Sequence, residues 1–168
     1  MPLRIETAAS GLELLTLRAQ DADVLYALLQ QNRAHLTVRG DYTEIVAMSA
    51  QEIADELRSA QCHDLRMGLY YHQKLVGRVD LNSPKLGTFV LGYWIDAAHT
   101  NRGLVKAGCV AIIDHAWRLL GAQEIWAGVK ASNAASISVL EHLGFDLMET
   151  LPTHLRYRLS LGGEQGTA

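Results

Sequence analysis

The chain has only two cysteines in 168 residues, Cys62 in a polar stretch and Cys109 in an apolar one. That scarcity argues against a disulfide framework and against a cysteine-based zinc site. The seven histidines are scattered without metal-ligand spacing, so no metal is expected. Positive charge is not in excess: fifteen Lys and Arg against eighteen Asp and Glu give a formal net charge of −3. A chain of that sign is not built for broad attachment to nucleic acid or to an anionic membrane. No uninterrupted apolar run is long enough to cross a bilayer. The start, MPLRIETAASGLELLTL, lacks the charged, apolar, small-residue order of a secretory signal. The expected location is the cytoplasm. Internal repeats and low-complexity tracts are absent.

What is present is an ordinary globular composition, 49% hydrophobic and 20% charged. It predicts one domain over 1–168 with a core over about 12–159 and a frayed tail over 162–168. Residues 1–10 read as a small-residue lead-in, and Leu12–Leu17 as the first strand. Asp21–Leu36 has apolar residues at helical spacing and acids at its start, which predicts one amphipathic helix. Thr37–Ala47, broken at Gly40, reads as a loop. Ser49 and Glu52 form the Ser-x-x-Glu signature of a capping box opening a second helix. Leu65–Tyr71 and Lys74–Leu81 flank His72-Gln73 as a hairpin, and Pro84 marks the next turn. Leu86–Ile95 is a strand in which Gly92 predicts a bulge or a close ligand approach. A long helix stops at Gly121. Strand Glu124–Val129, helix Asn133–Leu143 and two closing strands around Pro152 follow. Trp117 and Trp126 read as core; Trp94 reads as core or as a wall of the site.

The junction between the central strand and the long helix carries the functional argument. A helix's first turn presents unpaired N–H groups and about half a positive charge. Stability alone would place an acid there and keep glycine out. His99-Thr100-Asn101-Arg102-Gly103-Leu104-Val105-Lys106 does the opposite, with cations at 102 and 106 and glycine at 103. That pattern suits an anion, such as a phosphate, seated on the helix start; the alternative is an ordinary N-cap at Asn101 with solvated cations. The order of elements is an α+β pattern around one mixed sheet. A right-handed strand–helix–strand unit would put this turn at the carboxyl end of its strand, where open sheets bind ligands.

The turn with Arg102-Gly103, followed by Asn133-Ala134-Ala135-Ser136 and Leu143-Gly144-Phe145, resembles the GNAT superfamily of acetyl-CoA-dependent N-acetyltransferases over about residues 12–159. Tyr93-Trp94-Ile95-Asp96 and Asn32-Arg33-Ala34-His35-Leu36 are most similar to its ribosomal-protein N-terminal acetyltransferase (RimJ/RimL-like) branch. The resemblance implies a single GNAT-like domain with six or seven strands and helices on both faces. The family turn is Gln/Arg-x-x-Gly-x-Gly/Ala; here Thr100 and Val105 depart from it and Gly103 matches. Acetyl-CoA is implied as co-substrate. The backbone of Tyr93, Trp94 and Ile95 would pair with the pantetheine arm. The N–H groups of Asn101, Arg102, Gly103, Leu104, Val105 and Lys106 would hold the pyrophosphate, and Asn133 would bind the arm. Many relatives use a tyrosine seven residues after that Asn; Leu140 stands there, leaving Ser136 as the hydroxyl near the sulfur.

The implied reaction is direct attack of an amine on the thioester, with backbone N–H groups near Gly92–Trp94 facing the oxyanion. His35, Asp41 and Glu44 are the candidate bases, with Tyr42 as a wall. An α-amine is far more often neutral at pH 7 than a lysine, so an N-terminal or other weakly basic amine could react through a water relay, whereas a lysine or polyamine would need one of these bases. The resembled branch implies a protein N-terminal α-amine as acceptor. A small-molecule amine acceptor (polyamine, amino acid or antibiotic) and a non-catalytic CoA-binding regulatory domain are the alternatives. No nucleic acid or membrane partner is expected, and the closing strand pair would allow a homodimer.

Overall fold

A computed structural model describes residues 1–38 and 41–162. In chain order the elements are β1 (Arg4–Glu6), β2 (Leu12–Thr16), α1 (Ala22–Gln31), α2 (Arg33–Thr37), α3 (Thr43–Ala47), α4 (Ala50–Arg58), β3 (Leu65–Tyr71), β4 (Lys74–Lys85), β5 (Thr88–Ile95), α5 (Leu104–Leu119), β6 (Glu124–Val129), α6 (Ala134–His142), β7 (Asp146–Thr150) and β8 (Leu155–Ser160). The strands form one sheet in the order β1-β2-β3-β4-β5-β6-β8-β7. Every neighbouring pair is antiparallel except β5 and β6, the pair joined by the crossover helix α5.

Helices cover both faces. On one, α5 buries Leu104, Gly108, Cys109, Ile112, Ile113 and Ala116, a stripe at three- and four-residue spacing. The stripe packs against inward residues of the strands, such as Leu14, Leu69, Val79, Leu91 and Ile125. On the other, α1 and α4 bury Leu25, Leu29, Ile53 and Leu57 against Leu17, Leu75 and Trp94. An ion network pins α4 to the sheet. Arg78, 3% exposed, meets both oxygens of Glu56 at 2.9 and 3.1 Å and Asp80 at 2.9 Å. Burial raises the Asp80 pKa and Arg78 opposes that rise.

Several expectations need correction. The sheet has eight strands rather than six or seven, because Arg4–Glu6 pairs with β2 where a lead-in was expected. The first helix breaks at Asn32, whose buried side chain donates to the Leu28 carbonyl at 2.9 Å and accepts the Ala97 N–H at 2.9 Å. Thr37–Ala47 is not all loop: Thr43–Ala47 is helical. Strand β4 runs through Pro84 because its register shifts between Asn82 and Lys85, where a missing N–H does no harm. Gly92 is not a bulge, for it pairs in register with Asp80. Trp117 is 44% exposed, on the side of α5 away from its buried stripe. Trp126 lies outside both cores, with the Arg156 and Arg158 guanidinium groups 4.7 and 5.7 Å from its ring. The capping box at Ser49 and the two-residue turn at His72-Gln73 are both present, the latter with positive φ at both residues. Gly40 and the tail from 163 lie outside the described residues.

Candidate functional site

Strands β5 and β6 pair only over Thr88–Val90 and Glu124–Trp126, although both continue beyond. Past Val90 they diverge, while β5 stays laddered to β4 as far as Ile95. Asp96 donates its N–H to the Val76 carbonyl on β4 at 2.8 Å. Alternation along the strand therefore turns the N–H and C=O of Tyr93 away from β4 and into the opening. Within the Gly92–Trp94 stretch considered for an oxyanion, Tyr93 is the residue whose N–H faces it.

The opening widens into a cavity of about 470 Å³. Its walls are the end of β5, the start of α5, the start of α6 and the α2–α3 segment. Helix α5 begins there without any side-chain cap. Its N-cap is Gly103, at φ 72°, rather than Asn101, whose own φ is 60°. A Cβ at Gly103 would meet nothing within 4 Å, so the left-handed backbone, rather than crowding, is what glycine serves here. The helical ladder starts with Ala107 N–H to Gly103 C=O at 3.0 Å. The N–H groups of Leu104, Val105 and Lys106 precede it, in a first turn that carries no acid. Thr100, one of the two departures from the family turn, donates its hydroxyl to the Ala97 carbonyl at 3.0 Å. The uncapped turn, its two cations and the cavity beside it fit a pyrophosphate-bearing ligand.

All the proposed cofactor residues, Tyr93–Ile95, Asn101–Lys106, Asn133 and Ser136, line this cavity. So do His35 and Asp41, but Glu44 sits on the exposed side of α3 away from it. Asp41 is already engaged: one oxygen accepts the Lys130 N–H at 3.1 Å, the other the Asn133 amide at 2.6 Å. Asn133 in turn caps α6 by accepting the Ser136 N–H at 3.2 Å. The Tyr93 hydroxyl donates to the Ser136 carbonyl at 3.0 Å, and the Tyr42 hydroxyl donates to the Tyr93 carbonyl at 2.5 Å. Each phenol therefore spends its proton on a backbone carbonyl beside Ser136. Burial pushes the Tyr42 phenol up to about 12, with Asp41 adding to the rise, and burial pushes Tyr93 higher still. Both phenols remain neutral donors at working pH.

Two hydrogen bonds escaped the sequence, and the two readings left open for Trp94 both hold. His99 lines the cavity with its Nδ1 held 2.5 Å from Asp96 Oδ1; its position three residues after an acid on the junction was the available signal. Trp94 is both core and wall, and its buried indole Nε1 has no hydrogen-bond partner among the described residues. The hydroxyl of Tyr42, read only as a wall, bonds a strand fifty-one residues away, which no local pattern announces.

The model of the acetyltransferase (GNAT) domain matches residues 12–146. The probable N-acetyltransferase YjcK of Bacillus subtilis is 35% identical over 75 residues, which span 43% of this chain and 41% of that protein. A structure of RimL, a ribosomal L7/L12 alpha-N-protein acetyltransferase, superposes with a TM-score of 0.81 at 19% identity, covering 96% of each chain. The microcin C7 self-immunity acetyltransferase MccE, solved with acetyl-CoA and AMP, gives 0.75 at 18% identity over 91% of this chain and 94% of its own. At these identities the structural likeness is one of fold.

Proposed function

Because this chain belongs to the acetyltransferase (GNAT) family, we propose that it transfers an acetyl group from acetyl-CoA directly to a primary amine, a protein N-terminal α-amine being the favoured acceptor. The observation that carries the proposal is the uncapped start of α5, opening on the cavity where β5 and β6 part. The N–H groups of Leu104–Lys106, with Arg102 and Lys106, take the pyrophosphate. The edge of β5 from Tyr93 to Ile95, past its pairing with β6, takes the amide arm as another strand would. The amine nitrogen forms a bond to the thioester carbon and the carbon–sulfur bond breaks. The carbonyl oxygen's transient charge faces the Tyr93 N–H. Ser136 supplies the proton the departing sulfur takes up, the nitrogen releases its own proton to water, and Ser136 regains a proton from that water. Asp41 is not assigned as base, since both its oxygens are occupied; His35, exposed at the cavity mouth, keeps that candidacy.

An α-amine of pKa about 7.7–8.0 needs little help to lose its proton, unlike a lysine near 10.4. A small-molecule acceptor remains the second reading, because MccE, which shares the fold, is solved in complex with acetyl-CoA and AMP. Release of free thiol from acetyl-CoA, measured against peptides with free α-amines, blocked peptides containing lysine, and polyamines, tests both. Turnover confined to free α-amines supports the first reading. Turnover confined to small amines replaces it with the second, and no turnover with any amine, despite CoA binding, leaves a regulatory CoA-binding domain. Ser136→Ala is expected to lower kcat roughly 10²-fold, as loss of a proton donor does, with CoA binding retained.

A further inference from the structure

Where β5 and β6 separate, each wall is left with backbone groups that no longer meet the other strand. Two adjacent residues serve both walls. Tyr42 reaches the β5 wall and donates its hydroxyl to the Tyr93 carbonyl at 2.5 Å. Asp41 reaches the wall between β6 and α6, accepting from the Lys130 N–H at 3.1 Å and the Asn133 Nδ2 at 2.6 Å. Both residues are half-buried and line the large cavity. They also line a smaller one of about 90 Å³, set between Leu91, Gly92 and Gly128. The dipeptide is therefore the partition shared by two spaces in the same cleft.

The two bonds differ in kind. An ionised carboxylate only accepts, so Asp41 dictates that Asn133 turns its Nδ2 toward it and its Oδ1 toward the Ser136 N–H. This hold engages both carboxylate oxygens and is charge-assisted. The Tyr42 hydroxyl, by contrast, occupies a strand-edge carbonyl that an amide arm adding to β5 would itself use. One end of the dipeptide is fixed and the other is provisional.

We propose that Asp41-Tyr42 is a crossbar over the cleft, in which Asp41 positions Asn133 for the donor while Tyr42 caps the Tyr93 carbonyl until the donor's amide arm displaces it. The inference rests on the acyl-CoA reading above. It assigns Asp41 a positioning role and makes Tyr42 a competitor of the donor for one backbone acceptor.

The two residues then act in opposite directions on one observable, the Kd of CoA measured by isothermal titration with full-length protein. Tyr42→Phe keeps the ring and frees the carbonyl, so CoA should bind roughly threefold to tenfold more tightly, the worth of one hydrogen bond no longer broken. Asp41→Asn is isosteric but offers an amide donor toward Asn133, forcing one of the two amides to turn. CoA should then bind about tenfold more weakly. A purely structural role for Tyr42 cannot produce tighter binding. If wild type binds no CoA, the acyl-CoA reading falls and the crossbar with it. If wild type binds and Tyr42→Phe weakens or leaves binding unchanged, the crossbar is overturned while that reading stands. Should Asp41→Asn fail to fold, shown by loss of a cooperative thermal transition, the sign of the Tyr42→Phe effect decides alone.

Discussion

Helices α4 and α5 begin in opposite ways within one chain. At α4, Ser49 Oγ accepts the Glu52 N–H at 3.2 Å and the Ser49 N–H donates to Glu52 Oε2 at 2.7 Å. An acid occupies the first turn and Arg58 the last, so the helix answers its own dipole. At α5 the N-cap is a left-handed glycine with no side-chain bond, the first turn has no acid, and Arg102 and Lys106 stand beside it. The longer helix, sixteen residues against nine, can forgo its cap because its buried stripe holds it in place. The difference separates two uses of the same backbone chemistry. A self-sufficient start serves folding, whereas a bare one beside a cavity leaves its positive potential for an incoming anion. Helix α6 is intermediate: Asn133 caps it, yet spends its amide on Asp41.

Turning the bare start into a filled one breaks the contrast most sharply. Gly103→Glu places a carboxylate where the pyrophosphate is proposed to sit, and should weaken CoA binding by about 10²-fold or more through occupancy and repulsion. The substituted Cβ meets no neighbour, so the folding cost is the left-handed backbone alone, about 1–2 kcal/mol. Titration calorimetry with CoA, alongside urea unfolding, separates the two; undiminished binding would remove the turn from the site. Next in size, Lys106→Ala should weaken CoA by roughly tenfold at low salt and by less as ionic strength rises. A salt-independent loss would mean that Lys106 acts through packing.

The contrast between these helix starts was legible in the residues themselves, since Ser49 with Glu52 and Arg102 with Gly103 are local patterns. The alternation of element types likewise announced the mixed sheet and the parallel crossover. What was not legible is long-range or weak. Strand β1 is three residues long and offers one buried side chain, Ile5, to any periodicity. The break at Asn32 depends on the N–H of Ala97, sixty-five residues on. Asp41 looked like a base because an acid on a loop carries no sign of its partners, and its partners lie on the β6–α6 wall. Trp117 and Trp126 were misplaced because size outweighed phase. The α5 stripe and the β6 alternation both put those positions outward.

At the opposite end of the comparison, Ser49→Ala should cost about 1 kcal/mol of stability by urea unfolding, the usual worth of an N-cap, and leave CoA binding unchanged within about twofold. A comparable loss of binding would couple α4 to the site and erase the division of labour.

The smallest expected effect is a pH dependence that the start of α4 has and the start of α5 lacks. Hydrogen bonds from Ser49, through its backbone first and its side chain second, hold the Glu52 carboxyl below its ordinary pKa. A carboxyl whose folded pKa is depressed contributes stability that is present above its unfolded pKa and lost as pH falls through the folded one. Wild type should therefore be slightly more stable than Glu52→Gln at pH 7. The gap should narrow as the pH drops below the unfolded pKa and close once it has passed the folded one. Urea unfolding of the pair across that range reads it directly. A gap that persisted in acid would mean that the Ser49 backbone bond, not the charge, supports the helix start. The first turn of α5 has no acid to titrate, so its contribution to stability should be flat over the same range.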